Sequence, residues 1–157
     1  MASKPKTWRE KLADSKDLPK TARIEGKLSQ RWGTGTMVVP APREVDAMIR
    51  TIRKGKTATL NDLRAKLAKK HGVDVCCPIT AGIFTWIAAH AAAEDEANGR
   101  RRITPWWRVL KSDGTLNPKF PGGAEEQRRR LFAEGIIIPE KVRPAECRTS
   151  KRRTERP

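Results

Sequence analysis

Two adjacent tryptophans, Trp106 and Trp107, stand between a proline and an arginine in the stretch ITPWWRVLKSDG, residues 103 to 114. Indole rings stack on nucleobases, and a strongly basic chain attracts the phosphates of the same polymer. This chain has 34 Lys and Arg against 18 Asp and Glu, which gives a formal net charge of +16 over 157 residues. The combination indicates nucleic-acid binding before any other chemistry.

Thiol and metal chemistry have weaker support. The three cysteines are Cys76, Cys77 and Cys147, an odd number, and the adjacent pair has neither disulfide-framework nor CxxC spacing. With only His71 and His90 to add, we expect no metal site and no cofactor. Cys76 and Cys77 precede a predicted helix, whose N-terminus can lower a thiol pKa, so a reactive thiolate is kept as an alternative to two small buried residues at a turn.

Three helices are predicted to position these residues. The first begins at Pro42 and ends before Gly55, and the second is capped by Thr59 and ends at Gly72. The third runs from about residue 79 to 98, and its large apolar side chains predict one buried face: Ile79, Ile83, Trp86, Ile87 and His90. The fold class predicted is mostly α, a winged-helix-like (helix-turn-helix) domain with a small β contribution near residues 36–39 and 106–116.

The charge pattern divides the chain into three parts. Residues 1–35 are predicted to be a basic arm, either solvated or bound to phosphates, in which Trp8 and Leu12 at i, i+4 favour a short helix. Residues 36–140 form the predicted domain, and residues 141–157 a basic, disordered tail. No apolar run approaches the about 20 residues of a membrane span, so we expect a cytoplasmic protein without a membrane partner.

The stretch TPWWRVLKSDGTLNPKFPGGAEEQRRRLFAEG resembles the DNA-binding, active-site half of the O6-alkylguanine DNA alkyltransferases, whose signature is a Pro-Cys-His-Arg-Val run. The earlier KGKTATLNDLRAKLA is similar to the first motif helix of that family, and the resemblance covers roughly residues 42 to 135. The matching positions, in order, are Pro105, Arg108, Val109, Gly114, Gly122, Gly123, Leu131, Glu134 and Gly135.

The resemblance implies DNA binding without alkyl transfer. Trp106 stands where the family has its alkyl-accepting cysteine, Trp107 stands where it has its histidine, and neither indole can do the work of a thiolate or its base. Glu134 matches the relay carboxylate. The chain is therefore similar to the non-catalytic alkyltransferase-like proteins, which bind a flipped O6-alkylguanine in double-stranded DNA and mark it for other proteins, usually those of nucleotide excision repair.

The resemblance also implies site residues. In an extended segment consecutive side chains point to opposite faces, so we expect Trp106 to face the lesion and Trp107 to pack inward. The expected lesion pocket comprises Trp106, Arg108, Phe120, Gly122 and Gly123. The expected DNA contacts are Thr59, Thr80, Thr85, Lys119 and Arg128.

Two departures from the family pattern leave other functions open. The arginine that enters the duplex in place of the flipped base aligns with Thr80, and the chain contains no tyrosine to rotate the target phosphate, the nearest positions being Leu60 and Asn61. A general or regulatory DNA-binding module without lesion recognition is the first alternative. A residual transferase using Cys76 or Cys77 is the second, and an RNA-binding protein is the third.

Overall fold

The structure is a computed structural model that describes residues 3–139. It is mostly helical with a small β element, as predicted. A one-turn 3₁₀ helix spans Trp106–Arg108. The other elements are α1 Trp8–Ala13, β1 Lys20–Ile24, α2 Lys27–Trp32, β2 Gly35–Val39, α3 Pro42–Arg50, β3 Ala58–Thr59, α4 Leu60–His71, β4 Val75–Cys76, α5 Pro78–Ala97, β5 Val109–Leu110 and α6 Gly123–Ala133.

Helix α4 begins and ends where its sequence predicts. The Thr59 hydroxyl accepts a hydrogen bond from Asp62 N at 3.2 Å, and Thr59 N donates to Asp62 Oδ2 at 2.8 Å, which closes a capping box. Gly72 ends the helix in the left-handed conformation with φ 63°. Leu63 and Leu67 form its buried stripe. Thr59 thus serves helix formation, whatever else it contacts.

Helix α5 is confirmed in extent, but its predicted orientation is wrong. Its buried face carries the small side chains, and the large apolar side chains at Ile79 and Ile83 are exposed, by 58% and 46%. Hydrophobic periodicity alone does not show which face of the helix is buried. Here the alanine face is buried, because small side chains let the neighbouring helices approach closely. The residues buried on α5 are Ala81, Thr85, Ala88, Ala89, Ala91 and Ala92.

Short strands fix the starts of the two central helices. β1 pairs antiparallel with β2, and β2 pairs parallel with β4, which leads directly into α5. β3 pairs parallel with β5 and leads into α4. The helix α4 and the segment after the tryptophans are therefore joined through Ala58 and Val109, which lie in register.

The N-terminal segment contains the short helix predicted from Trp8 and Leu12. Residues 20–24 form a strand, and helix α1 packs along α5, where Trp8 N donates to Glu94 Oε2 at 3.0 Å and Arg9 pairs with Asp95 at 3.2 Å. The acidic end of α5 thus attracts this basic segment, which sequence periodicity does not reveal. The predicted tail, residues 141–157, lies outside the described residues.

A main core joins the helices, and beside β1 and β2 lies a smaller cluster of Ile24, Met37 and Cys77. Val38, Ile49 and Leu67 are fully buried in the main core together with Trp106. In the described part of the chain, no helix combines the length and the apolar character that crossing a membrane requires.

Candidate nucleic-acid interface

The two adjacent tryptophans lie in a 3₁₀ turn, not in the extended segment predicted from sequence. Trp106 is 1% exposed, so the structure places it in the core and not on a pocket surface. Its ring meets Phe120 edge-on at 5.6 Å and Trp107 at 5.9 Å. In a 3₁₀ turn successive side chains are about 120° apart, so alternation does not decide which indole faces inward.

Trp107, Arg108 and Glu134 form one hydrogen-bonded group. Trp107 Nε1 donates to Glu134 Oε1 at 3.0 Å, and Arg108 Nη2 donates to the same oxygen at 2.7 Å. Arg108 Nη1 also donates to Ile52 O at 2.7 Å. The guanidinium predicted at the pocket rim is therefore committed to internal partners, and its side chain is only 13% exposed.

The Glu134 carboxylate is stabilised in its charged form. Burial raises the pKa of Glu134, but hydrogen bonds from Arg108, Trp107 and Gly55 N lower it, and the net pKa lies below the usual value. The Trp107 indole, which the resemblance places at the histidine position, thus donates to the carboxylate that the resemblance places at the relay position. Because the indole N–H cannot be passed on as a histidine proton can, this contact holds structure and relays nothing.

A cavity of about 500 Å³ opens between α5, β5 and the loop of residues 111–122, here named the cavity loop. This volume falls within the roughly 300–1,000 Å³ typical of small-molecule sites. Three of the residues predicted from sequence line it: Thr85, Lys119 and Phe120. Its other lining residues are Leu60, Gly82, Trp86, Val109, Leu110, Lys111, Ser112, Asp113, Asn117 and Pro118.

The remaining predicted residues do not line this cavity. Gly122 and Gly123 have φ of 75° and 73° and form the turn into α6, where a Cβ on Gly122 would lie 2.6 Å from Glu126 Cβ. Thr80 Oγ1 lies 3.4 Å from Cys77 O in the first turn of α5. Arg128 pairs with Glu125 at 3.3 Å on the surface of α6.

A buried glutamine that sequence reasoning missed supports the cavity loop. Gln127 is fully buried, and its Oε1 accepts from Asn117 N at 2.8 Å while its Nε2 donates to Val109 O at 2.8 Å. It therefore ties α6, β5 and the cavity loop together. A polar residue four positions before Leu131, on the apolar face of α6, is the signal that could have identified it.

An apolar strip on α5 was also missed. It comprises Ile79, Ile83 and Trp86, which are exposed by 58%, 46% and 36%. A shallow groove runs along this strip and shares Gly82, Trp86 and Lys119 with the cavity, so strip and cavity form one continuous surface. Contiguous exposed apolar side chains of this kind mark binding surfaces.

The thiols near the start of α5 are buried. Cys76 and Cys77 are 1% and 6% exposed, and neither lines the cavity. Burial raises the pKa of the Cys76 thiol to about 11, which outweighs the lowering by the Arg64 charge. The burial and the raised pKa argue against the reactive-thiolate alternative at Cys76, because a thiol reacts as its thiolate.

Searches of curated proteins and of solved structures returned no match. The family model of the 6-O-methylguanine DNA methyltransferase DNA-binding domain matches residues 40–136, more than half of the chain and all of the cavity lining. The chain thus belongs to this family through its DNA-binding domain.

Proposed function

We propose that the protein binds double-stranded DNA without catalysis and holds an extrahelical base, an O6-alkylguanine in particular, in the cavity between α5 and the cavity loop. The observation that carries this proposal is the cavity of about 500 Å³ inside the matched region, whose lining contains no cysteine. The apolar strip beside it would face the duplex. An apolar surface suits the minor groove, where such side chains insert between base steps.

The residues at the motif support the proposed absence of alkyl transfer. Transfer needs a thiolate beside a base, and Trp106 and Trp107 supply neither. Cys76 and Cys77 lie buried away from the cavity. Cys147 lies outside the described residues.

The energetics of base capture are reasonable without Trp106. Flipping costs a few kcal/mol and least for a damaged or mispaired base, while stacking on an aromatic ring returns about 1 to 3 kcal/mol. Trp86, which is 36% exposed, provides an aromatic surface for stacking, and Phe120, which is 4% exposed, closes the cavity as a wall. Ser112, Asn117 and Lys119 provide polar groups for base edges and phosphate. The lesion would thus stack on Trp86, with Phe120 at the wall position expected from sequence and Trp106 outside the cavity.

The repair role of the proposal rests on the resemblance. A protein that holds a lesion without removing it must pass it to other proteins, and those of nucleotide excision repair are the implied partners. By the same resemblance, the protein would be located in the cytoplasm, bound to DNA.

The test compares binding to matched duplexes with and without one O6-methylguanine. Gly82→Leu places a branched side chain in the cavity mouth, whereas Gly82→Ala adds one Cβ at 3.8 Å from Leu60 Cδ2, an ordinary contact. We expect wild type and Gly82→Ala to bind the modified duplex at least about tenfold more tightly than the plain one, and Gly82→Leu to bind both equally.

Equal binding of both duplexes by the wild-type protein would contradict lesion recognition. It would instead support the general DNA-binding module, which Thr80 at the position of the intercalating arginine favours. A labelled alkyl group on the same guanine tests the remaining alternative. We expect no label on the protein, and covalent label would show a residual transferase.

A further inference from the structure

Three aromatic rings from two helices meet at the mouth of the cavity. Trp8 of α1 stacks on His90 of α5, with ring centroids 4.5 Å apart and planes 21° apart. Trp8 also meets Trp86 edge-on at 4.8 Å, and Trp86 meets His90 edge-on at 5.1 Å. The cluster Trp8, Trp86 and His90 is here named the aromatic brace. Each ring contacts both others, so the position of one constrains the other two.

The aromatic brace binds the backbone of the cavity loop. Trp86 Nε1 donates to Lys119 O at 3.1 Å, and His90 Nε2 lies 3.4 Å from the same oxygen. Because a carbonyl oxygen only accepts, the histidine nitrogen facing it carries the proton. Lys119 lies next to Phe120, the aromatic wall of the cavity. The aromatic brace therefore fixes the loop at the point where that wall begins.

Helix α1 is itself held firmly in this position. The Thr7 hydroxyl caps it by accepting from Glu10 N at 3.2 Å, and Trp8 N donates to Glu94 Oε2 at 3.0 Å. Lys11 Nζ lies 4.1 Å from the centre of the Trp8 ring, on which its charge is favourably placed. These contacts come from a segment that precedes the matched family region, residues 40–136.

We propose that Trp8 is a positioning residue for the base cavity: helix α1 clamps Trp86 and His90 against Lys119 O and so preorganises the cavity loop. Trp86 is 36% exposed, and Trp8 is the ring that limits its movement from the α1 side. A loop already in its binding conformation loses less entropy when a base enters. The loop contact stands on geometry alone, whereas its consequence for binding rests on the proposed function.

Hydrogen exchange of the DNA-free protein tests the contact. The amides of Asn117 and Phe120 are hydrogen-bonded within or beside the cavity loop, so they report its order. We expect them to exchange between about threefold and tenfold faster in Trp8→Ala, and near the wild-type rate in Trp8→Phe, which keeps an aromatic ring. Trp32→Ala is the matched control, because Trp32 is a partly buried tryptophan of the same N-terminal segment that packs in a separate cluster.

A second variant keeps the test decisive where Trp8→Ala loosens the whole molecule. Trp86→Phe removes the N–H that donates to Lys119 O and retains a ring, and the same amides are expected to exchange faster. Unchanged exchange of the cavity loop in both Trp8→Ala and Trp86→Phe overturns the proposal. Faster exchange that is equal in Trp8→Ala and Trp32→Ala also overturns it, since the effect would then be general.

Binding supplies the functional readout. In Trp8→Ala we expect the preference for the O6-methylguanine duplex to fall severalfold, while affinity for the plain duplex stays within about twofold of wild type. Equal loss on both duplexes would assign α1 to general DNA binding and overturn its positioning role. Should the wild-type protein show no preference at all, the proposed function fails, and the exchange rates then decide on the aromatic brace by themselves.

Discussion

At the scale of single residues, Glu134 has the most demanding environment in the site. Its carboxylate is 9% exposed and accepts from an indole, a guanidinium and, at 3.4 Å, the amide of Gly55. A buried charge is tolerated only when such partners replace water. One carboxylate thus joins α6's C-terminal end, the tryptophan turn and the segment before β3.

We expect the change Glu134→Gln to lower the free energy of unfolding by about 3 kcal/mol at pH 7, because it leaves the Arg108 guanidinium buried without a counter-charge. The pKa of Glu134 is lowered in the folded state, so its stabilisation is present above the unfolded pKa of about 4.3 and is lost as pH falls through the folded value. Denaturant unfolding between pH 7 and pH 3 measures both effects.

The control for this prediction is Glu125→Gln on α6. The Glu125 carboxylate is 85% exposed, so the variant should stay within about 0.5 kcal/mol of wild type and keep its pH dependence. Other carboxylates with lowered pKa values, such as Glu126 and Asp62, contribute to the acid loss in every variant. A Glu134→Gln protein that loses as much stability as wild type between pH 7 and pH 3 would contradict the assignment.

Single residues were also where sequence reasoning was least secure. The motif spacing placed Trp106 at the cysteine position of the family. The direction of its side chain, however, depends on the 3₁₀ turn that follows Pro105 and on the core that the ring fills. Arg108 and Glu134 were found by the resemblance, yet their mutual pairing required the fold to bring together two positions 26 residues apart. Thr85, Lys119 and Phe120 were identified and do meet in one cavity.

At the scale of elements, α5 separates two tasks between its faces. The small side chains pack against the core, and the strip of Ile79, Ile83 and Trp86 is turned outward. Residues 78–93 of this helix carry no Lys, Arg, Asp or Glu. Charged side chains that attract DNA to this surface therefore come from neighbouring elements, and the strip itself supplies apolar contact.

A charge placed on the strip tests whether it faces the duplex. Ile83→Asp should weaken binding to plain duplex DNA by about tenfold at low salt, since a carboxylate would oppose the phosphates and an apolar contact would be lost. Because Ile83 is 46% exposed, we expect no large loss of stability from this change, and thermal unfolding checks that point.

Ile137→Asp serves as the matched control, because Ile137 is 77% exposed and lies outside both the strip and the cavity. It introduces the same charge into the same protein. Similar affinities for Ile83→Asp, Ile137→Asp and wild type would show that DNA does not contact this face of α5.

Element boundaries were predicted well where local signals exist. Thr59 and Gly72 bracket α4, and Pro42 begins α3, because caps and proline act through the nearest turn. Strand β1 was missed, since four of its five residues are exposed and it depends on pairing with β2. The buried face of α5 was predicted wrongly for a related reason. Which face of this helix packs in the core depends on elements that are distant in the sequence.

At the scale of the whole molecule, positive charge and an apolar site are separate contributions. Several carboxylates are already neutralised inside the protein, as Glu44 is by Lys70 and Glu126 by Arg129 and Arg130. A net charge of +16 nevertheless remains, because Lys and Arg outnumber Asp and Glu. Phosphate binding should dominate affinity, while the cavity should decide between one base and another.

This separation predicts different salt dependences for affinity and for preference. Between 50 and 200 mM salt, binding to either duplex should weaken with a log–log slope of about −5 or steeper, because each phosphate contact releases counterions. The ratio of the affinities for the O6-methylguanine duplex and the plain duplex should change by less than about twofold, since stacking of a base in an apolar cavity releases no counterions. Gly82→Leu should keep the slope and lose the ratio. A ratio that decays in step with affinity would place the preference in phosphate contacts, and the cavity would then not be its source.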